Sequence, residues 1–142
     1  MKRLLVLIFI SVSVFANGQE GETAYTNLGS TEFYIQMQSQ PNALVLDVRL
    51  FSEYRQERIP GAILAEKKEK LVSVTDSIDK ETPVLVYCED GKRSATVSKI
   101  LTRELGFTNV YNLSEGLYGW KRKGLPIDDK RLKRNIIQRI FE

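Results

Sequence analysis

Pro83-Val84-Leu85-Val86-Tyr87-Cys88-Glu89-Asp90-Gly91-Lys92-Arg93-Ser94 is the stretch whose reading decides the fold. Pro83 to Tyr87 is a short apolar run with no polar alternation, the pattern of a strand buried on both faces of a parallel sheet. It ends directly at Cys88. A turn containing Gly91 follows, and then Ser94 to Leu105 carries apolar residues at 95, 97, 100, 101 and 105, a helical stripe. Gly106 stands where a glycine closes a helix. Strand, tight loop, helix is therefore the local order, with a thiol at the first junction.

The same alternation extends in both directions. Upstream, Ala43 to Val48 is a second continuous apolar run, preceded by a helix over Glu32 to Gln40 that Pro41 ends. Ser30 is the expected N-cap of that helix, and Glu32 lies near its positive end. Ser52 to Glu57 reads as a short helix, Ile59-Pro60-Gly61-Ala62 as a turn into a brief apolar segment, and Lys67 to Ile78 as a surface helix. Downstream, Val110 to Leu113 is a third strand, and Glu115 to Lys123 a helix that turns Trp120 inward. This order predicts an α/β fold: a three-layer domain over 19–126 with a central parallel sheet flanked by helices. Residues 19–29 read as a short leader to it. Ligands of such sheets bind beyond the carboxyl ends of the strands, where Cys88 lies.

Composition limits the chemistry. The chain has 142 residues, one cysteine and no histidine. No Ser-His-Asp triad, Cys-His pair or histidine-ligated metal centre can be assembled. One cysteine also excludes an internal disulfide and a zinc site of several cysteines, and no other metal site or cofactor is expected. A thiol-disulfide oxidoreductase would need a resolving cysteine from another molecule.

The two ends carry separate signals. Lys2 and Arg3 precede an apolar run from Leu4 to Phe15, and Ala16-Asn17-Gly18 follows with small residues. That is the pattern of a secretory signal peptide over 1–18, cleaved after Ala16 or Gly18. Twelve helical residues span roughly 18 Å, short of a ~30 Å hydrocarbon core. The expected location is periplasmic or secreted. Without residues 1–18 the chain holds 19 basic and 18 acidic residues, so no global charge supports nucleic-acid binding. Residues 121–142 are locally basic, with eight Lys or Arg against three acids. Over 127–142, Leu132, Ile136, Ile137, Ile140 and Phe141 fall at helical spacing behind Asp128 and Asp129. Such a helix either packs its stripe on the domain or touches an anionic membrane surface or acidic partner. A monomer is expected.

The loop Cys88 to Ser94 is the candidate site. Successive backbone N–H groups converge where a strand hands over to a helix, and the helix start adds partial positive charge. Both favour thiolate over thiol, and Lys92 and Arg93 are expected to add cationic help. A buried free cysteine is otherwise a small hydrophobe.

At this point the sequence resembles the single-domain rhodanese, or rhodanese-like sulfurtransferase, family. The resemblance covers residues 25 to 126. It rests on Leu46-Asp47-Val48-Arg49 with Glu53-Tyr54, then Arg58-Ile59-Pro60-Gly61-Ala62-Ile63, then Val84 to Cys88 with Gly91 and Arg93-Ser94, and finally Gly106-Phe107, Val110 to Leu113, Gly116 and Trp120. It implies that Cys88 takes a sulfane sulfur from a small donor such as thiosulfate or polysulfide, as a persulfide, and passes it to a thiol or cyanide. It also implies that Glu89, Asp90, Gly91, Lys92, Arg93 and Ser94 form the substrate cradle. Arg49 would set the base of the pocket or pair with Asp47, which has a structural role near the site. Two positions depart from the family pattern: Arg58 stands where a histidine is frequent, and the acids Glu89 and Asp90 stand where thiosulfate-adapted loops tend to be basic. The rival readings are a non-catalytic binding module and a cysteine phosphatase. Phosphatase loops enclose five residues between cysteine and arginine, whereas Cys88 to Arg93 encloses four.

Overall fold

The computed structural model describes residues 24–131. The signal segment over 1–18 and most of the C-terminal helix expected over 127–142 lie outside them. Within the described residues, 127–131 are not helical.

Five strands alternate with five helices: β1 (Thr26–Leu28), α1 (Ser30–Ser39), β2 (Leu44–Asp47), α2 (Phe51–Tyr54), β3 (Ile63–Leu64), α3 (Lys68–Thr75), β4 (Val84–Tyr87), α4 (Lys92–Arg103), β5 (Val110–Leu113) and α5 (Gly116–Arg122). The strands form one sheet in the order β1-β5-β4-β2-β3, and every pairing is parallel. The register sets Asp47 beside Tyr87 and Val86 beside Asn112.

Alternate strand residues face opposite sides, which divides the core in two. One side gathers Val45, Leu85, Tyr87 and Leu113 with Phe33 of α1, Tyr54 of α2, and Leu117 and Trp120 of α5. The other gathers Leu46, Val84, Val86, Cys88 and Val110 with Leu71 of α3 and Leu101 of α4. The expected three layers are thus present. Trp120 is fully buried as expected, edge-on to Phe33 and Tyr34, and its indole N–H donates to the Pro126 carbonyl at 2.8 Å.

Two expectations change. The leader contains β1, an edge strand paired to β5 along three residues, which is too short and polar to show an apolar run. Ser30 is not the N-cap of α1 but its first helical residue, with Gly29 at the cap. The Ser30 N–H and hydroxyl instead donate to the Glu115 carboxylate at 3.0 and 2.7 Å, joining α1 to α5. These donors hold the Glu115 carboxyl below its ordinary range.

The topology places the site. β2 leads through α2 to β3 on one side, and β4 leads through α4 to β5 on the other. The connections leaving β2 and β4 diverge onto opposite faces, opening a crevice at their carboxyl ends. Arg49 follows β2 there, and Cys88 follows β4.

Candidate active site

Cys88 is fully buried at the head of the loop that joins β4 to α4. The Ser94 backbone N–H donates to Sγ at 3.4 Å, and the Ser94 hydroxyl lies 3.4 Å from the same sulfur. That hydroxyl also reaches the Gly91 carbonyl at 3.1 Å. The first turn of α4 therefore aims a backbone donor and a hydroxyl at the thiol, an arrangement that stabilises negative charge on sulfur.

The loop keeps its shape because its outer side is clamped by the start of α5. The N–H groups of Leu117 and Tyr118 donate to the carbonyls of Cys88 and Glu89 at 2.8 and 3.1 Å. The contact is close enough to demand two glycines. Gly91 has φ +84, and a Cβ there would fall on the Ser114 carbonyl; Gly116 has φ +60, and its Cβ would fall on the Glu89 carbonyl. Only glycine adopts such backbone without strain and without a clash.

The acids and cations of the loop are placed differently from what the sequence suggests. Asp90 accepts the Lys92 backbone N–H at 3.1 Å and faces the thiol, whose S–H donates to it at 3.8 Å. The Lys92 N–H is the main cause of an Asp90 pKa below the ordinary value. Lys92, with its side chain 87% exposed, pairs with the same carboxylate at 3.4 Å. Arg93 turns outward to Glu53 at 3.4 Å. The expected direct cationic support of the thiol is thus corrected: each cation is matched by a carboxylate, because α4 starts at Lys92 and carries both side chains to its solvent side. Charge on sulfur is met by Ser94, and the Asp90 carboxylate opposes it.

Arg49 and Asp47 form the floor of the crevice. Arg49 is 2% exposed and Asp47 fully buried. The Arg49 N–H, Nε and Nη2 all donate to the Asp47 carboxylate, at 2.9, 3.1 and 2.8 Å. Tyr87 donates its hydroxyl to Asp47 at 2.6 Å and accepts the Ile59 N–H at 3.0 Å. Burial and the Asp47 charge push the Tyr87 hydroxyl well above its ordinary pKa, so it remains a donor. Burial acts against the Arg49 charge, but the Asp47 carboxylate outweighs it and holds the guanidinium protonated more firmly than usual. The remaining guanidinium edges meet the Glu57 carbonyl at 2.6 Å and the Glu89 carboxylate at 3.2 Å. Arg49 therefore pairs with Asp47 and also ties to the loop through Glu89, a contact the sequence did not suggest.

Two hollows flank Glu89. One, of about 220 Å³, is lined by Arg49, Glu53, Gln56, Glu57 and Glu89. The other, of about 520 Å³, is lined by Glu89, Asp90, Lys92, Glu115, Tyr118 and Arg122. Several contributors have no site role in the sequence reading: Tyr87, the last apolar residue of its strand; Glu53, which reaches Arg93; Tyr118; and Asn112. The Asn112 amide donates to the Gly91 carbonyl at 3.4 Å and to Asn27 of β1 at 2.8 Å. Arg58, which stands at the family's histidine position, is remote in role. It stacks on Tyr54 and pairs with Asp128, strapping residues 125–131 to the domain.

Known proteins resemble this chain in sequence and fold. The thiosulfate sulfurtransferase GlpE of Actinobacillus succinogenes is 31% identical over 105 residues, covering 74% of this chain and 92% of that protein. The GlpE of Coxiella burnetii is 40% identical over 78 residues, 55% of this chain and 71% of the relative. Among solved structures, the Alr3790 protein from Anabaena sp. superposes with a TM-score of 0.67 at 27% identity, over 80% of this chain and 87% of that one. The rhodanese-like domain family matches residues 30–123, from α1 through the end of α5. The chain belongs to the rhodanese-like domain family.

Proposed function

We propose that this chain is a sulfurtransferase in which Cys88 takes up a sulfane sulfur from a donor, holds it as a persulfide and passes it to a thiophilic acceptor. The observation that carries this reading is the setting of the single thiol: a buried sulfur at the end of β4, met by the Ser94 N–H and hydroxyl within a clamped loop. Family membership and the GlpE relatives, which are named thiosulfate sulfurtransferases, support sulfur transfer as the general activity.

The reaction is a double displacement. In the first half, the Cys88 thiolate attacks the outer sulfur of the donor, the donor's S–S bond breaks, and its electron pair leaves with the remainder of the donor. In the second half, the acceptor attacks the outer sulfur of the persulfide, and the Cys88 sulfur recovers the electron pair. With cyanide as acceptor the product is thiocyanate. Loop residues 89–94 enclose the persulfide, and the Ser94 N–H and hydroxyl receive negative charge on sulfur at each stage.

The charges around the loop bear on the donor. The solvent-side edge of Arg49 is taken by Glu89, and the Asp90 carboxylate faces the sulfur. A dianion such as thiosulfate meets two acids and a guanidinium already engaged. A neutral or less charged sulfane donor, such as an organic polysulfide, suits this mouth better. The N-terminal pattern supports action outside the cytoplasm, in the periplasm or the medium.

The test is a transfer assay to cyanide with polysulfide and with thiosulfate. Cys88→Ser, with an unchanged unfolding midpoint, is expected to abolish turnover with both donors. Turnover retained by Cys88→Ser contradicts the proposal.

A further inference from the structure

The larger of the two hollows lies against the loop without being lined by the thiol itself, and its walls carry both signs of charge around an aromatic ring. Glu89, Asp90 and Glu115 supply three carboxylates; Lys92 and Arg122 supply two cations. Tyr118 is 65% exposed, unusual for a large aromatic, and the Arg122 guanidinium sits 5.5 Å from its ring centroid. At about 520 Å³ the hollow falls within the roughly 300–1,000 Å³ of small-molecule sites.

Its position ties it to the second half-reaction. Asp90 is a shared wall: one face of the carboxylate accepts the Cys88 S–H at 3.8 Å, and the side chain also lines the hollow. The Tyr118 N–H donates to the Glu89 carbonyl and the neighbouring Leu117 N–H to the Cys88 carbonyl, so the floor of the hollow and the loop are fixed to one another. Cys88 is fully buried, and its persulfide carries the transferable sulfur one S–S bond of about 2.0 Å from Sγ. Asp90 both lines the hollow and reaches the Cys88 sulfur, so an acceptor seated in the hollow lies against the carboxylate that faces that sulfur.

The charges are available to a ligand. Arg122 meets Glu115 at 3.3 Å and Lys92 meets Asp90 at 3.4 Å, with both cations more than half exposed. Exposed pairs of this kind contribute little, so exchanging them for ligand contacts costs little. A wholly anionic ligand meets three acids, and a wholly cationic one meets two bases. A ligand bearing one ammonium and one carboxylate satisfies both sides, with its short apolar body against the Tyr118 ring.

We infer that this hollow is the acceptor subsite and that it selects a small thiol with an amino-acid head group, its carboxylate held by Arg122 and Lys92 and its ammonium by the acidic wall. The inference rests on the persulfide reading above. The acceptor thiol forms a bond to the outer sulfur as the bond from that sulfur to Cys88 breaks. The electron pair returns to Cys88 as thiolate, and the acceptor's proton leaves with the transferred sulfur as the acceptor persulfide.

The experiment treats the two half-reactions separately. Cys88 is loaded with polysulfide, freed of excess donor and discharged with L-cysteine, cysteamine, 3-mercaptopropionate or 2-mercaptoethanol, with rates compared at equal thiolate. L-cysteine is expected to exceed 2-mercaptoethanol by on the order of tenfold, the low end for hydrogen bonds to charged groups. Arg122→Ala is expected to remove most of that ratio, and Arg122→Lys to restore part of it. Equal rates across the four thiols, or a ratio untouched by Arg122→Ala, overturn the subsite. In parallel, S-methyl-L-cysteine, which cannot accept sulfur, is titrated into the unloaded protein and followed by NMR. Shifts confined to Tyr118, Arg122 and the loop are expected; their absence also overturns the subsite. If Cys88 never gains sulfur while these shifts appear, the persulfide reading fails and the subsite stands. If Cys88 loads but shows neither preference nor shifts, the subsite fails and the persulfide reading stands.

Discussion

Replacing Asp47 by asparagine removes the charge at the centre of the crevice floor and keeps the side-chain shape. Four donors converge on that fully buried carboxylate: the Arg49 N–H, Nε and Nη2, and the Tyr87 hydroxyl at 2.6 Å. An asparagine amide accepts at one oxygen and sets two N–H groups against donors at the other. It also leaves the Arg49 guanidinium, 2% exposed, with only the partly exposed Glu89 as counter-charge. Breaking a buried pair at one partner costs about 3–5 kcal/mol, a fifth or more of a typical total of about 5–15 kcal/mol. With a urea slope of about 1.5 kcal/mol/M, the unfolding midpoint should fall by about 2–3 M. Urea titration followed by Trp120 fluorescence reads this directly, since Trp120 lies in the same buried cluster as Tyr87. Asp47→Leu combined with Arg49→Met should lose less than Asp47→Asn alone, because no buried charge is then unpaired. A loss below about 1 kcal/mol for Asp47→Asn, or a double variant worse than the single one, refutes the claim that this pair organises the crevice.

Three further outcomes follow from the loop and its supports. Gly91→Ala places a methyl on the Ser114 carbonyl at φ +84, so it should cost at least about 1–2 kcal/mol and lift the loop from α5; alkylation of Cys88 by iodoacetamide should then be faster, and an unchanged rate counts against the clamp. Changing Glu89 and Asp90 together to Gln and Asn should raise thiosulfate turnover relative to turnover with a neutral organic polysulfide, most at low ionic strength; an unaltered donor ratio there shows that the acids do not set donor choice. Glu115 is held below the ordinary carboxyl range by the Ser30 hydroxyl and N–H, so its contribution is complete above that range and is lost as pH falls through the lowered value. The drop in urea midpoint between about pH 6 and pH 3 should therefore be smaller in Glu115→Gln, and an equal drop would place the acid sensitivity elsewhere.

The parts that could be read in the sequence are those where one physical rule dominates locally. Val84 to Tyr87 is buried on both faces, and a continuous apolar run has few other solutions. Gly91 and Gly106 stand at positive φ, where the residue type announces the backbone. Cys88, Gly91 and Ser94 meet in the loop as expected, because they are neighbours in the chain. What escaped depends on long-range pairing. β1 is three exposed or half-buried residues whose strand character comes only from β5. Ser30 resembles a cap by residue type, yet its hydroxyl is claimed by Glu115, 85 residues away. Lys92 and Arg93 look like support for the thiol when the loop is read as a line. The turn of α4 then carries them outward to Asp90 and Glu53, and no local pattern reports that rotation. The same holds for Tyr87, whose hydroxyl matters only once β2 and β4 lie side by side.

The most direct test of the central claim is the mass of the peptide bearing Cys88 after exposure of the protein to polysulfide and removal of excess donor. One added sulfur atom is expected on Cys88, lost again on addition of cyanide with thiocyanate formed in equal amount, and no such addition is expected in Cys88→Ser. A Cys88 that gains no sulfur from polysulfide, thiosulfate or any other sulfane donor, or a sulfur that cyanide cannot remove, contradicts the account.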